Sequence, residues 1–421
     1  MLKIRPTNAQ SFAGGFFGMT RRKRTGFVLG FIVALLLSQT LLAGPSDAAV
    51  ARRAARKPVE QGKPTYTAAL LMEPTTGRVL FERESHKPWP PASLTKMMLM
   101  LIVMEKVKQK AISLNDRVAI SGRADKLGGS RLSLKRGEAF MLEELMRAVV
   151  IHSANDAAEA VAERIAGDAG GFVALMNRRA QELGMKETKY HGVHGLPPEK
   201  GRPADVTSAY DVAILARELV KYPEILKWAS TVKQQFRGGK SVLENTNRLI
   251  GQFPGADGLK TGSYREAGFN LAATAERDGL RFIAVTLGSA SDEARAREAA
   301  ALLATGFNEY MMLAAMKAGQ ALAQDIRVRG GRVEAIRVVA ASAAQVLIKR
   351  SEAGSVRSSV RIDEPLWAPL KKGDKIGELT VTVGDKPLGK FPLVSDRDVE
   401  QADIAKRLWD WILLPAERWG R

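Results

Sequence analysis

The chain has 421 residues, of which 45% are hydrophobic and 26% charged, a composition typical of a globular protein of two or three domains. It contains no cysteine, which excludes disulfides, thiol nucleophiles and thiolate metal sites. The formal net charge is +19, but aromatic residues are few and no nucleic-acid-binding motif accompanies the basic residues. We therefore expect no nucleic acid as a partner, and an anionic membrane or polymer as the target of the positive charge.

Residues 1–48 predict a secretory signal peptide. A basic cluster at residues 21–24 precedes an apolar stretch and then small residues, the order found at the N terminus of exported proteins. We expect cleavage near residues 48–51 and a basic linker over 49–63, while Met19 offers an alternative start site. An uncleaved anchor is the alternative, because the apolar stretch is close to the shortest length that spans a bilayer.

Residues 64–320 predict one α/β (α+β) domain. Strands occur at both of its ends and helices lie between them, so we expect the first and last strands to share one sheet. The patterns predict a hairpin with its turn at 74–77, a helix beginning at Ser93 as N-cap, helices over 143–166, 172–183 and 208–220, a second hairpin with its turn at 277–279, and a helix over 293–312.

Two smaller segments follow. Residues 321–397 contain short strand-like runs separated by glycine and charged turns, which predict a separate β-rich domain. Residues 398–421 predict an amphipathic helix that is rich in tryptophan. One face of this helix carries Ile404, Leu408, Trp411 and Ile412. Such a helix is typical of the membrane interface, and packing against its own domain is the alternative.

Ser93 and Lys96 carry the first sign of chemistry. Three residues apart on a helix, they lie on one face, and the run Met97–Met104 behind them is apolar all round. A lysine can take the proton of a serine hydroxyl only when it is neutral, which near pH 7 needs a pKa drop of roughly three units, or about 4 kcal/mol. Burial supplies part of this drop and a second cation about 4 Å away a similar part. The pair therefore predicts a second lysine in the same site.

Two further elements follow in order. The first is Ser153-x-Asn155, and the second is Lys260-Thr261-Gly262. Ser-x-x-Lys, Ser-x-Asn and Lys-Thr-Gly in this order are the signature of penicillin-binding proteins and class A β-lactamases. Lys260 supplies the second cation that the energetic argument requires.

The chain resembles the low-molecular-mass penicillin-binding proteins, D-alanyl-D-alanine carboxypeptidases of serine peptidase family S11. The resemblance covers nearly everything after the leader and includes PASLTKMM, HSANDAAEAVAE, VHGL, NTNRLI and DGLKTGSYREAGFNLAATA. It implies a serine β-lactamase/transpeptidase-like domain with an antiparallel sheet flanked by helices, then a small β-rich domain and a C-terminal amphipathic helix.

The resemblance also implies residue roles. Ser93 would be the nucleophile that forms an acyl-enzyme, Lys96 the general base, and Ser153 a proton relay to the leaving amine. Substrate binding would involve Asn155, Lys260, Thr261, Gly262, Ser263 and Arg295, with backbone N–H groups of Ser93 and Ser263 as the oxyanion hole. Arg297, two residues from Arg295, is a competing candidate for the arginine.

Some residues depart from the family pattern or have no expected role. Ala154 stands where the family often has glycine, and Ser263-Tyr264 replaces the more usual polar pair after Lys-Thr-Gly. His191 and His194 have no third ligand at a recognisable spacing, so we expect no metal and no cofactor, and His194 is expected to support the cleft structurally. Asp156 and Glu159 are interpreted as helix-face charges.

The expected function is a serine-type D,D-carboxypeptidase that removes the terminal D-alanine from peptidoglycan stem pentapeptides. Its expected partners are those stem peptides, β-lactam antibiotics as covalent inhibitors, and a membrane surface reached through the C-terminal helix. The expected location is the periplasmic face of the cytoplasmic (inner) membrane, with peripheral attachment. A D,D-endopeptidase, a β-lactamase and a non-catalytic, penicillin-sensing wall-binding protein are the alternatives. The β-lactamase is disfavoured because no Glu-x-x-Leu-Asn segment is present to position a water.

Overall fold

The computed structural model describes residues 63–419, with side chains described as far as residue 412. The predicted signal peptide and nearly all of the predicted basic linker lie outside the described residues. The chain forms two compact units, which meet in the sequence between Asn308 and Glu309.

The centre of the first unit is a five-stranded antiparallel sheet. From one edge to the other its strands are Arg78–Arg83, Ala68–Glu73, Leu280–Ser289, Gly268–Arg277 and Ala256–Tyr264. Strands from the two ends of this part of the chain thus lie side by side, as predicted, with Leu70 opposite Val285. Both predicted hairpins are present. The strands are β1 (Ala68–Glu73), β2 (Arg78–Arg83), β3 (Arg117–Ala119), β4 (Ala139–Met141), β5 (Lys233–Phe236), β6 (Ser241–Glu244), β7 (Ala256–Tyr264), β8 (Gly268–Arg277) and β9 (Leu280–Ser289).

Helices surround this sheet, and one of them is buried. The first nine residues of α1 (Lys96–Lys108) are all buried, as its continuous apolar sequence predicts. The other helices are α2 (Gly122–Lys126), α3 (Leu142–Arg147), α4 (Asn155–Ala166), α5 (Ala169–Glu182), α6 (Ala209–Leu219), α7 (Pro223–Ala229) and α8 (Asp292–Glu309).

The prediction that Ser93 caps this helix was wrong. A short 3₁₀ turn, Ala92–Thr95, precedes α1, and the Ser93 side chain caps no backbone group. Ala92 has a φ of 48°, so the chain bends sharply before the serine. The hydroxyl is left for a different partner, described below.

The predicted continuous helix over 143–166 is broken in the structure. After α3 the chain forms one π-helical turn, Ala148–His152, and Ser153 then takes a left-handed conformation with φ 63° before α4 begins. The cause is tertiary, because the N–H of Asn155 donates to the Ser130 carbonyl at 2.7 Å instead of to a helix carbonyl. π-Helical turns inside helices are frequent at functional sites.

The second unit is β-rich, and it begins earlier in the chain than the predicted boundary at 321. The segment Tyr310–Met316, whose first three residues were expected to end a helix, is a strand paired with Ala344–Lys349, because a short apolar run fits a buried strand as well as a helix. The strands of its main sheet are, in order, Val338–Ala340, Lys386–Ser395, Lys375–Val383 and Val356–Ile362. The strands are β10 (Tyr310–Met316), β11 (Ile326–Arg329), β12 (Ala335–Ile336), β13 (Val338–Ala340), β14 (Ala344–Lys349), β15 (Val356–Ile362), β16 (Leu366–Trp367), β17 (Lys375–Val383) and β18 (Lys386–Ser395).

The last helix, α9 (Ile404–Trp419), is fixed to the β-rich unit by a buried aspartate. The Asp410 carboxylate accepts a hydrogen bond from the Gly330 N–H at 2.7 Å, and Arg329 donates to the Asp410 carbonyl at 3.0 Å. Five large apolar side chains of this helix are exposed, namely Ile404, Leu408, Trp409, Trp411 and Ile412. In residues 63–419 no helix has the length and apolar character needed to cross a membrane.

Candidate active site

Ser93 and Lys96 are in direct contact. The Lys96 ammonium nitrogen lies 2.9 Å from Ser93 Oγ and donates to the His194 carbonyl at 2.7 Å, and the side chain is completely buried. Burial lowers the pKa of Lys96 from 10.5 to about 7, although the carboxylates of Asp205 and Asp156 oppose this shift. A large fraction of Lys96 is therefore neutral near pH 7 and able to accept the serine proton.

Lys260 on β7 is the second buried lysine. Its Nζ donates to the Thr261 carbonyl at 2.9 Å. Its pKa lies well below the usual value, first because of burial and then because of the positive charges of Lys96 and Arg295. The predicted second lysine is thus present. Burial, rather than a neighbouring positive charge, is the main cause of the lowered Lys96 pKa.

Strand β7 lies against the turn that carries the serine. A Cβ atom on Gly262 would come within 2.7 Å of the Ser93 backbone nitrogen, so only glycine allows this approach. Asn270 on β8 holds the same turn from beneath, since its side-chain amide donates to the carbonyls of Pro90 at 2.8 Å and Pro91 at 3.1 Å. The position of Ser93 is therefore fixed by the sheet as well as by the helix.

The broken helix brings Ser153 and Asn155 to the other side of the cleft. Ser153 Oγ and Asn155 Oδ1 are buried, and neither has a hydrogen-bond partner within the described residues. The Asn155 amide nitrogen is occupied, because it donates to the Gly128 carbonyl at 2.7 Å. Buried polar atoms normally have partners, so these two oxygens are available to a ligand.

Asp156 and Glu159, interpreted from the sequence as helix-face charges, are buried. Asp156 is buried and accepts the backbone N–H groups of Leu132 at 3.0 Å and Leu134 at 3.1 Å, which holds the loop beside the cleft. Glu159 is also buried and pairs with Arg123, and burial raises its pKa. Both carboxylates support the cleft wall from behind.

A short loop around His194 completes the wall behind Lys96. Burial lowers the pKa of His194 to about 3, so its ring is neutral, and its carbonyl is the acceptor for Lys96. Asp205 ties this loop to the turn before α1, accepting from the His191 N–H at 2.6 Å and the Thr95 hydroxyl at 2.9 Å. This agrees with the predicted structural role of His194. The described residues contain no group of three His, Asp or Glu side chains that could hold a metal ion.

The remaining predicted residues lie at the far end of the cleft. The Thr261 hydroxyl donates to that of Thr246 at 2.6 Å. Arg295 is buried, pairs with Asp292 and points to the Gly262 carbonyl at 3.4 Å, whereas Arg297 is exposed. The structure thus brings Arg295 to the cleft, and not its neighbour.

These side chains enclose a cleft of about 330 Å³. Every residue predicted for the site lines it except Lys96 and Lys260, which lie buried behind its wall. Thr246, Asn270 and Asp205 were not identified as site residues. The available signals were a polar residue within an otherwise apolar strand, as for Asn270, and the place of Thr246 in the segment NTNRLI. The lining residues are Ser93, Gly129, Ser130, Ser153, Asn155, Gly195, Leu196, Pro197, Thr246, Thr261, Gly262, Ser263, Tyr264 and Arg295.

Comparison with known proteins agrees with this geometry. Residues 55–291 match the family model described as D-alanyl-D-alanine carboxypeptidase, and residues 310–401 match that of the C-terminal domain of penicillin-binding protein 5. The chain is 34% identical over 352 residues to the D-alanyl-D-alanine carboxypeptidase DacF of Bacillus subtilis (strain 168), covering 82% of this chain and 89% of that protein.

Solved structures give the same result. Penicillin-binding protein 5 from Haemophilus influenzae matches with a TM-score of 0.68 and 29% identity over 82% of this chain and 100% of that one. Penicillin-binding protein D2 from Listeria monocytogenes, in its ampicillin-bound form, matches with a TM-score of 0.53 and 31% identity over 59% of this chain and 100% of that one. The chain therefore belongs to peptidase family S11, the D-alanyl-D-alanine carboxypeptidases, as its sequence motifs predicted.

Proposed function

We propose that this enzyme removes the terminal D-alanine of peptidoglycan stem pentapeptides through an acyl-enzyme on Ser93. The observation that carries the proposal is the contact of 2.9 Å between the Ser93 hydroxyl and a completely buried lysine. A serine needs an adjacent base to become a nucleophile, and a desolvated lysine is such a base.

In the first step Lys96 takes the proton of the Ser93 hydroxyl while Oγ attacks the carbonyl carbon of the penultimate D-alanine. The backbone N–H groups of Ser93 and Ser263 stabilise the negative oxygen that develops. The C–N bond then breaks, and the proton passes from Lys96 through the Ser153 hydroxyl to the leaving amine. The hydroxyl of Ser153 has no partner among the described residues, which supports this relay.

In the second step water hydrolyses the ester. Lys96, neutral again, takes a proton from the water, whose oxygen attacks the acyl carbon. The proton returns to Ser93 Oγ as the C–O bond breaks, which regenerates the serine. The same base therefore serves both steps.

Substrate binding uses both walls of the cleft. The free Asn155 Oδ1 accepts the N–H of the substrate amide, in keeping with its lack of another partner. The terminal carboxylate lies at the opposite end, where Thr261 and Arg295 provide a hydroxyl and a cation. Lys260 lies buried behind the wall, next to Thr261. A guanidinium keeps its charge at all relevant pH values, so Arg295 is the dependable partner of the carboxylate.

The test is D-alanine release from a diacyl peptide that ends in Lys-D-Ala-D-Ala, with wild-type protein and Ser93→Ala. We expect release by wild type and a loss of at least about 10⁴-fold in Ser93→Ala, because the covalent route is removed. Penicillin should label wild type and leave Ser93→Ala unlabelled, and slow loss of the label would exclude an efficient β-lactamase. Labelling without D-alanine release would favour the penicillin-sensing alternative.

A cross-linked muropeptide dimer tests the endopeptidase alternative. One relative, a D-alanyl-D-alanine endopeptidase of Haemophilus influenzae, is 30% identical over 201 residues, which makes this alternative worth testing. If the dimer is cleaved faster than the pentapeptide loses D-alanine, the enzyme acts chiefly on cross-links.

We further propose that the protein is exported and attached peripherally to the periplasmic face of the cytoplasmic membrane. The signal-like pattern of residues 1–48 supports export. Attachment is supported by α9, where Asp410 anchors the helix and large apolar side chains are exposed. Such a helix lies in the plane of the interface with its apolar face in the lipid.

A further inference from the structure

Thr246, which was not among the predicted site residues, lies at the far end of the cleft. It follows β6 and lines the cleft together with Thr261 and Arg295. Its side-chain oxygen accepts a hydrogen bond from the Thr261 hydroxyl at 2.6 Å. Two hydroxyl groups from different segments of the chain are therefore in contact at the end of the cleft that we propose for the terminal carboxylate.

The backbone around Thr246 is fixed on both sides. The Asn245 amide donates to two carbonyls near the end of α7, both at 2.8 Å. Asn247 is buried and donates to the Gly258 carbonyl on β7 at 2.9 Å. The Thr246 N–H donates to the carbonyl of Ile151, in the π-helical turn, at 3.3 Å. The hydroxyl is thus held in place before a substrate binds, which lowers the entropy lost on binding.

The Thr246 hydroxyl has a hydrogen to donate. A threonine hydroxyl carries one hydrogen and two lone pairs. Thr261 uses its hydrogen on Thr246, whereas no residue within 63–412 accepts the hydrogen of Thr246. In such a chain of hydroxyls the first hydrogen bond polarises the second donor and strengthens it. The pair therefore offers one strengthened donor to a ligand in the cleft, and this donor belongs to Thr246.

The cation at this end of the cleft is already engaged. Arg295 pairs with Asp292, which offsets part of its positive charge. Its guanidinium also points to the carbonyls of Gly262 at 3.4 Å and Asn270 at 3.3 Å. A carboxylate that enters the cleft gains from a donor that is not engaged elsewhere, since a hydrogen bond to a charged group contributes about 1.5–3 kcal/mol.

We propose that Thr246 binds the substrate directly, by donating its hydroxyl hydrogen to the carboxylate of the terminal D-alanine. Thr261 strengthens this bond from behind, and Arg295 supplies the positive charge. The inference rests on the proposed function, because it takes the terminal carboxylate to lie at this end of the cleft. The benefit of the Thr246 hydroxyl is then confined to substrates whose leaving group carries a carboxylate.

The test uses two thioesters of the acyl group diacyl-Lys-D-Ala that differ only in the leaving thiol. One thiol is 2-mercaptopropanoate, which keeps the methyl group and the carboxylate of D-alanine, and the other is ethanethiol, which lacks the carboxylate. Thr246→Val keeps the shape of the side chain and loses the hydroxyl. It should lower kcat/KM for thiol release by about tenfold to a hundredfold on the first thioester, mainly through KM, and by less than about twofold on the second.

Two variants serve as controls. Thr246→Ser keeps the hydroxyl and should stay within about threefold of wild type on both thioesters. Thr305→Val, exposed on α8, makes the same substitution away from the cleft and should change neither rate.

Three results would overturn the inference. An unchanged rate of Thr246→Val on the first thioester would show that Thr261 serves the carboxylate alone. Equal losses on both thioesters would show that Thr246 acts on the arrangement of the cleft instead of on the carboxylate. If wild type releases neither thiol from the thioesters nor D-alanine from the peptide, the proposed function fails, and the inference with it.

Discussion

The cleft buries charged side chains, whereas the terminal helix exposes large apolar ones. Both are the reverse of the usual distribution. In the first unit, Lys96 and Lys260 are 0% and 1% exposed. In the second unit, Ile404 and Trp411 on α9 are 72% and 67% exposed. Lysine is almost never fully buried without a charged partner, and large apolar side chains rarely cluster in solvent.

The buried lysines and the exposed apolar residues have different consequences. Neither buried lysine forms a salt bridge with a described residue, because Lys96 contacts a hydroxyl and a carbonyl, and Lys260 a carbonyl. Burial without a counter-charge destabilises the fold but creates a base. On α9 large apolar side chains stay exposed, although Ile404, Leu408 and Trp411 line an open cavity beside Trp367 of the β-rich unit. These side chains are available to bind another surface. Unfavourable local energetics thus mark both candidate functional regions.

Among the variants that test this contrast, the one that removes the buried Lys96 has the largest expected effect. Lys96→Met should lower the rate of Ser93 acylation by about 10³-fold, because general-base catalysis is lost. The same change should raise the free energy of unfolding at pH 6–7 by roughly 2 kcal/mol, since the desolvation penalty disappears and two hydrogen bonds are lost with it. The measurements are penicillin acylation kinetics and urea unfolding.

The pH dependence of this stability change has a definite sign. The pKa of Lys96 is lowered to about 7 in the folded protein, so between pH 7 and 10.5 the unfolded chain binds more protons. The free energy of unfolding of wild type should therefore rise with pH across this window, relative to Lys96→Met, by up to about 5 kcal/mol. Lys108→Met, exposed at the end of the same helix, is the control and should show no such difference. A flat difference would contradict the lowered pKa.

The helix gives the next largest effect. Leu408→Gln combined with Trp411→Gln should weaken binding to vesicles containing anionic lipid by about a hundredfold, because two large side chains no longer enter the apolar layer. Val333→Gln removes an exposed apolar side chain elsewhere in the β-rich unit and should leave binding unchanged. Removal of residues 401–421 should abolish binding. Retention by vesicles after this truncation would exclude α9 as the anchor.

The smallest effect concerns the support of the cleft wall. Asp156→Asn should lower the free energy of unfolding by about 1–2 kcal/mol, because a charged acceptor of two loop N–H groups is weakened. It should also shift the pH profile of acylation to lower pH, since this carboxylate raises the pKa of Lys96. A shift to higher pH would contradict that coupling.

Local sequence predicted much of this arrangement. The apolar run after Lys96 was sufficient to predict a buried helix, and a buried lysine was sufficient to predict a second lysine in the site. The hairpins of the sheet were predicted by their turns and by continuous apolar strands. In each case the signal lies within a few residues of the feature.

The features that were missed depend on distant partners. The break at Ser153 is made by a hydrogen bond from Asn155 to Ser130, and the periodicity of the surrounding sequence remains helical across it. The strand Tyr310–Met316 is decided by its pairing with β14. Asp156 is buried by a loop whose backbone N–H groups donate hydrogen bonds to its carboxylate. Tertiary contacts override local propensity at such positions.

The central claim is that Lys96 is a neutral base near pH 7, and the pH dependence of Ser93 acylation tests it most directly. The probe is a β-lactam with no group that titrates between pH 6 and 10.5. His194 does not interfere, because burial lowers its pKa to about 3. We predict that the acylation rate rises with pH and is half-maximal near pH 7. A half-maximal rate near pH 10 would show that Lys96 keeps an ordinary pKa, and would contradict the account.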